Sequence, residues 1–192
     1  LRPLSDYLVN DNDTIDAAFR YVGYRNPDGL SPSRLRSAYD SFLSRINLPI
    51  TGTEIGHRVW PLLLHGFDGN KATLTFKMIM MLAMHIVKTN PFVKRALQMT
   101  YSYVFLDEFQ DTNPSQFAII KELTDYEKPL VMAVGDDDQA IYEFQGALST
   151  NLSDFQSHYE ANVITLTENY RSTQEILDFS HHIIEQTPDR FA

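Results

Sequence analysis

The chain has 192 residues, room for one large domain or two small ones at roughly 150 residues per domain. Its composition, 43% hydrophobic, 21% charged and 12% aromatic with 8 Gly and 9 Pro, excludes disordered and collagen-like classes. A formal charge of −9 excludes a uniformly basic nucleic-acid-coating surface but not a local basic patch, and the lack of cysteine excludes a disulfide framework, thiol catalysis and cysteine-ligated zinc.

The absence of cysteine also fits a reducing intracellular compartment. The longest apolar stretch, Met78 to Met84, is too short to cross a bilayer, and the N-terminus has no basic-then-apolar signal pattern. The chain reads as a soluble protein or a piece of one, with no membrane partner. The charge is unevenly placed: residues 1–100 carry 12 Lys/Arg and 8 Asp/Glu, residues 101–192 carry 4 and 17. Halves of about +4 and −13 suggest two regions with different partners.

The first region reads as helical. Asp13 offers N-cap chemistry, and Ile15, Ala18, Phe19 and Val22 follow at helical spacing before Pro27, Gly29 and Pro32 break the pattern. Ser31 and Pro32 then suit a cap and first turn, with Leu35, Tyr39, Phe42, Leu43 and Ile46 on one face. Leu48 to Gly52 ends that helix. A further helix is predicted from Thr73 to Lys88, with Phe76, Ile79, Met80, Ala83 and Val87 inward and Asn90-Pro91 as its stop. Met78, Met80, Met81 and Met84 on this pattern read as core filler.

After Thr100 the pattern becomes alternating strand and helix. Tyr103 to Leu106 is a short β-rich run ending in acids, and Asn113-Pro114-Ser115-Gln116 is a cap, a first-turn proline and a capping-box glutamine. Pro129 to Val134 is a second apolar strand ending at Gly135, and Val163 to Leu166 a third. Ser172 to Glu175 forms another capping box ahead of Ile176, Leu177, Ser180, Ile183 and Ile184. His181 and His182 point about 100° apart on such a helix and make a poor metal pair. Near-continuous apolar strands joined by helices imply a buried parallel sheet, whose ligands gather at the carboxyl ends of the strands.

Polar clusters occupy those ends. The run DEFQDTN (107–113) places carboxylates where one can hold Mg²⁺ and its neighbour can deprotonate a water attacking a phosphate. The run VGDDDQAIYEFQGA (134–147) joins a turn glycine to acids, an amide and two spaced aromatics. The run LTENYRST (166–173) puts an arginine just ahead of a helix N-terminus, where phosphate oxygens are also welcome. Singly, each also reads as a solvated turn, filler or a surface ion pair.

Together and in this order the three runs resemble those of the UvrD/Rep/PcrA-type helicases of superfamily 1. DEFQDTN is similar to that family's Walker B motif, VGDDDQAIYEFQGA to its third motif and LTENYRST to its fourth, and the likeness runs from about Phe76 to the C-terminus. The resemblance implies an α/β fold: part of a RecA-like (P-loop NTPase) parallel sheet with flanking helices in residues 73–192, and an inserted N-terminal all-helical subdomain in residues 1–72. It implies ATP and Mg²⁺ as cofactors, Asp107 as the Mg²⁺ ligand and Glu108 as general base, with Gln110, Asp111 and Thr112 supporting. Gln139 is expected to sense the γ-phosphate, Tyr170 to stack on adenine, and Arg171 to neutralise γ-phosphate charge, a role worth about 10³–10⁵ in rate elsewhere. Tyr142 and Phe144 are expected beside a single strand, where stacking contributes about 1–3 kcal/mol per base.

The implied partners are single-stranded DNA or a duplex/single-strand junction and the remaining domains of the same helicase, and the implied location is the bacterial cytoplasm, at the nucleoid. None of the eight glycines forms GxxxxGK[ST], so the chain reads as a segment of a longer helicase moving 3′ to 5′, inactive alone. The chain departs from the family's pattern at Gln145, where an arginine is common, and at Glu143, which adds an anion near the strand site and puts coupling in question. Two other readings stand beside this one: a noncatalytic helicase-like module for single-strand or protein binding, and a metal-dependent nuclease built on Asp107, Glu108, Asp111 and Asp136 to Asp138. The arginines of residues 1–100, with Trp60 and the tyrosines, read either as a DNA surface or as a solvated helical one.

Overall fold

A computed structural model describes residues 8–26, 29–125, 129–139 and 150–184. They form two compact units, residues 1–91 and 92–192.

In the first unit, α1 (Asn12–Tyr21) starts at Asp11, whose side chain accepts the Thr14 N–H at 3.2 Å; the cap is thus two residues before Asp13. Helix α2 (Pro32–Ser44) follows Ser31. Helix α3 (Ile55–His65), which has Pro61 inside it, is one the sequence reading lacks. Apolar side chains at helical spacing, Ile15, Phe19, Tyr39 and Leu43, meet Val59, Trp60 and Leu63 of α3 in one buried cluster. Trp60 is fully buried, and its indole N–H donates to the Leu43 carbonyl at 3.0 Å. Helices α2 and α3 approach so closely that a Cβ on Gly56 would sit 2.3 Å from the Phe42 carbonyl oxygen, so only glycine fits there.

The first unit is not all-helical. Strands β1 (Leu8–Val9) and β2 (Thr73–Leu74) pair in parallel, Leu8 opposite Thr73 and Val9 opposite Leu74. Helix α4 (Phe76–Thr89) therefore begins after β2, capped by Thr75, whose hydroxyl accepts the Met78 N–H at 3.1 Å. The phase of α4 differs from the expected one: Met78 and Val87 are buried, whereas Phe76 is 64% exposed. Since Leu74 and Met78 belong to the Trp60 cluster, β2 and α4 pack with the N-terminal helices, and the units divide at 91/92.

In the second unit, α5 (Pro91–Thr100) starts on the proline that ends α4, since an N1 position needs no N–H. Lys94 pairs with Glu122 at 2.6 Å. Strand β3 (Tyr103–Leu106) runs parallel to β4 (Leu130–Ala133), in register from Tyr103 opposite Leu130 to Leu106 opposite Ala133. Between them α6 (Pro114–Thr124) opens with the expected capping box: the Asn113 side chain accepts the Gln116 N–H at 3.0 Å, and the Gln116 side chain accepts the Asn113 N–H at 2.8 Å. Helices α7 (Asn151–Tyr159) and α8 (Gln174–Ile184) follow.

The β3–β4 pair is buried on one face only. Leu106, Val131 and Ala133 pack on Phe109, Phe117 of α6 and Phe155 of α7, while Tyr103, Phe105, Leu130 and Met132 are exposed. The predicted strand Val163–Leu166 does not form: these residues have no ladder, and Ile164 and Leu166 are more than four-fifths exposed. An apolar run becomes a strand only where a neighbouring strand takes its N–H and C=O groups. The described residues therefore make a mixed α/β protein with short parallel strand pairs.

Candidate active site

The chain turns sharply where β3 ends. Asp107 leaves the strand, and its Oδ1 accepts the Glu108 N–H at 3.0 Å. Glu108 is left-handed, φ 48° and ψ 46°, a conformation that costs a non-glycine residue on the order of 1 kcal/mol or more and gathers at functional sites. A single 3₁₀ turn, Phe109–Asp111, then leads to α6. Phe109 anchors it: the ring is fully buried against Phe117 and Phe155, and its N–H donates to the Val134 carbonyl at 2.9 Å.

The end of β4 lies alongside, because the Val134 N–H donates to the Leu106 carbonyl at 2.8 Å. Gln110, 2% exposed, joins the two strand ends. Its Nε2 donates to Glu108 Oε2 at 2.7 Å, and its Oε1 accepts the Asp136 N–H at 3.1 Å. That orientation of the amide is fixed chemically, since a carboxylate only accepts and a backbone N–H only donates. Asp136 then accepts the Asp138 N–H on Oδ1 at 3.0 Å and the Gln139 side chain on Oδ2 at 2.7 Å. Asp107, Glu108, Gln110, Asp136 and Gln139 are thus one connected polar group across two adjacent strand ends.

The other candidates are placed differently. The Thr112 N–H closes the 3₁₀ turn on the Phe109 carbonyl at 3.1 Å. Asp111 donates its N–H to the Glu108 carbonyl at 3.0 Å and has one buried carboxylate oxygen, Oδ1, without a partner. Tyr170 is 94% exposed. Asn169 Oδ1 accepts the N–H groups of Arg171 and Ser172, both at 2.9 Å, which sets the backbone that carries Arg171. Among the described residues no hydrogen bond or ion pair ties the Tyr170 or Arg171 side chain to the carboxylates, because Val163–Leu166 is not stitched to the sheet. Tyr142 and Phe144, with Glu143 and Gln145, lie outside the described residues.

Two residues that the sequence did not mark as part of the site hold it. A Cβ on Gly135 would sit 2.7 Å from Gln110 Oε1, so this glycine admits the bridging amide. Asn151, the first residue of α7 and 1% exposed, donates its side-chain amide to the backbone of the 3₁₀ turn. A helix at Asn151 would have pointed to it, but no motif marks α7.

The donor set suits a hard divalent cation: the carboxylates of Asp107 and Asp111 with oxygen donors only, and no histidine at the turn. Among the described residues no three or more His, Cys, Asp or Glu side chains converge. Mg²⁺ is usually held by one or two carboxylates, water and substrate phosphates rather than by a protein cage. The unpartnered buried Oδ1 of Asp111 and the exposed Asp107 carboxylate are consistent with such an ion.

Burial first, then the flanking Asp136 and Asp138, raises the Asp137 pKa, and its Oδ1 is buried without a partner. With its pKa higher in the folded state, this group favours folding as pH falls and opposes it once ionised. Asp137→Asn should therefore raise the melting temperature at pH 7, and the advantage should shrink as pH falls through the carboxylate range. Thermal unfolding across pH checks this; a pH-independent shift would contradict it.

In the first unit a groove of about 770 Å³ is lined by Arg20, Tyr21, Tyr24, Arg25 and Asn26 among others. Arg20 pairs with Asp16 at 2.7 Å, and Arg25 donates to the Arg20 and Tyr24 carbonyls. Among the described residues no helix is long and apolar enough to cross a membrane.

Adjacent parallel strands, joined through a helix and presenting bridged carboxylates at their carboxyl ends, define an α/β protein with a sheet-edge ligand site. Residues 33–160 match the profile of the UvrD/REP helicase N-terminal domain, and the chain belongs to that family. It is 36% identical over 119 residues to the ATP-dependent DNA helicase PcrA of Leuconostoc citreum, covering 62% of this chain and 16% of that protein. Similarity to the PcrA helicases of Staphylococcus aureus (strain NCTC 8325), 37% over 118 residues, and Bacillus subtilis (strain 168), 36% over 119, is of the same extent: 61% and 62% of this chain and 16% of each relative. The chain thus spans 16% of the length of these relatives.

Proposed function

We propose that these residues are part of an ATP-dependent DNA helicase that couples ATP hydrolysis to 3′-to-5′ movement on single-stranded DNA in the bacterial cytoplasm, at the nucleoid. The observation that carries this reading is Glu108, held left-handed at the end of β3 with its carboxylate fixed by Gln110. A base so held is positioned before its substrate arrives, which is where general-base catalysis draws its effect. Relatives bearing the PcrA name support the same reading.

In this scheme Asp107 would hold Mg²⁺, with Gln110, Asp111 and Thr112 supporting. When bound, Mg²⁺ neutralises developing phosphate charge. Glu108 takes the proton of the attacking water on a carboxylate oxygen, and Gln110 keeps that carboxylate from turning away. Gln139, tethered through Asp136, carries the state of the nucleotide towards the residues after it; Tyr170 stacks on adenine and Arg171 neutralises γ-phosphate charge. Tyr142 and Phe144 stack on the strand, and the groove with Arg20 and Arg25 supplies phosphate contacts in the more basic half. Residues 1–72 would belong to an inserted subdomain and residues 73–192 to the latter part of a RecA-like domain, with β2 and α4 of that part packed on the N-terminal helices.

An unwinding assay tests the function. The full-length gene product with ATP and Mg²⁺ is expected to separate a duplex with a 3′ single-stranded tail and to leave a 5′-tailed one intact, while residues 1–192 alone show neither unwinding nor ATP turnover. Binding of single strands without ATP-dependent unwinding would favour a noncatalytic module.

A further inference from the structure

Asn151 lies outside the acidic motifs, yet it is among the most buried polar residues of the chain, 1% exposed. Its Nδ2 lies within hydrogen-bonding distance of three backbone carbonyls of the turn after β3, Thr112 at 2.6 Å, Gln110 at 3.1 Å and Phe109 at 3.4 Å, which share its two N–H groups. All three partners only accept, so the nitrogen and not the oxygen must face them. The Phe109 and Gln110 carbonyls belong to the 3₁₀ turn and the Thr112 carbonyl directly follows it; the Phe109 carbonyl also accepts the Thr112 N–H.

We propose that Asn151 is a positioning residue for hydrolysis: from the first turn of α7 it clamps the 3₁₀ turn, and through Gln110 it fixes both the Glu108 carboxylate and the Asp136 amide. Four hydrogen-bonded residues on four elements then move together: Asn151 of α7, Gln110 of the turn, Glu108 after β3 and Asp136 after β4. Residues 140–149, which hold the aromatics assigned to the strand, directly precede this helix. The clamp therefore gives α7 a direct mechanical hold on the base. This inference rests on the reading of Glu108 as general base.

Steady-state kinetics and hydrogen exchange on the full-length gene product test it. Asn151→Ala is expected to lower kcat for ATP about 10–100-fold with KM changed less than about twofold, as for a residue that orients another. Exchange should speed up at the amides of Phe109, Asp111, Thr112 and Asp136 and stay slow within β3 and β4. The double variant Asn151→Ala with Gln110→Ala should lose no more than Gln110→Ala alone, because both act through one side chain. Unchanged kcat, a loss carried by KM, multiplying losses or unaltered exchange would each overturn the proposal. Where Asn151→Ala does not fold, Gly135→Ala, whose Cβ would sit 2.7 Å from Gln110 Oε1 and 3.3 Å from Leu152 of α7, presses on the bridging amide with Asn151 itself unchanged, and the same drop in kcat at constant KM is expected; an unchanged kcat would overturn the proposal. Should Glu108→Gln leave ATP turnover intact, the general-base reading fails, and the exchange pattern still judges the clamp.

Discussion

Glu108→Gln should reduce ATP turnover by the full-length gene product about 10²–10⁴-fold, the range general-base catalysis usually contributes. The substitution is chosen because the structure isolates one property. A glutamine at 108 still offers an oxygen to Gln110 Nε2, so the bridge to Asp136 and the turn geometry survive. Only the capacity to take a proton is lost. Nucleotide binding and melting temperature should stay near those of the unsubstituted protein, measured by titration with a nonhydrolysable ATP analogue and by thermal unfolding. A comparable loss of binding would mean that Glu108 holds the nucleotide rather than activating water.

The largest effect on stability is expected in the first unit, at Trp60. Trp60→Ala removes a fully buried indole from the centre of the helical cluster, a change that costs about 3–5 kcal/mol. It also strips the Leu43 carbonyl of its donor, and an unsatisfied buried acceptor costs about 1–3 kcal/mol. Against a typical stability of about 5–15 kcal/mol, such a loss unfolds the unit or brings it close to unfolding. Trp60→Phe fills most of the space and loses the N–H, so it should cost much less. Urea unfolding followed by circular dichroism compares the two, since Trp60 is the chain's one tryptophan and fluorescence vanishes with it. Equal midpoints for Trp60→Ala and the unsubstituted protein would contradict the assigned core.

Features written in adjacent residues were legible from sequence. Asn113 to Gln116 encodes its capping box in four positions, and β3 and β4 lie where short β-rich runs meet acids and glycine. Features that depend on distant partners were not. Proline inside a helix ordinarily breaks it, yet α3 continues through Pro61, with Val59, Trp60 and Leu63 buried around it. Pro91 reads as a stop and is equally a start. Val163 to Leu166 has the composition of a strand, but no ladder forms there.

The site divides in the same way. Asp107, Glu108 and Asp136 stand in acidic runs that adjacent letters of the sequence show. Asn151 does not, since its worth lies in backbone carbonyls 39 to 42 residues away. Gly135 reads as a turn residue, whereas its function is to leave room for the Gln110 amide. The −9 of the whole chain conceals the same division, with the acidic excess in the half that carries the carboxylate turns.

As proposed, the linked polar residues at the ends of β3 and β4 serve ATP hydrolysis that single-stranded DNA stimulates. Steady-state phosphate release by the purified full-length gene product, with Mg²⁺ and single-stranded DNA each added and withheld, tests it most directly. The expected result is turnover that requires Mg²⁺ and rises with single-stranded DNA. Turnover indifferent to both, or none under any combination, would contradict it.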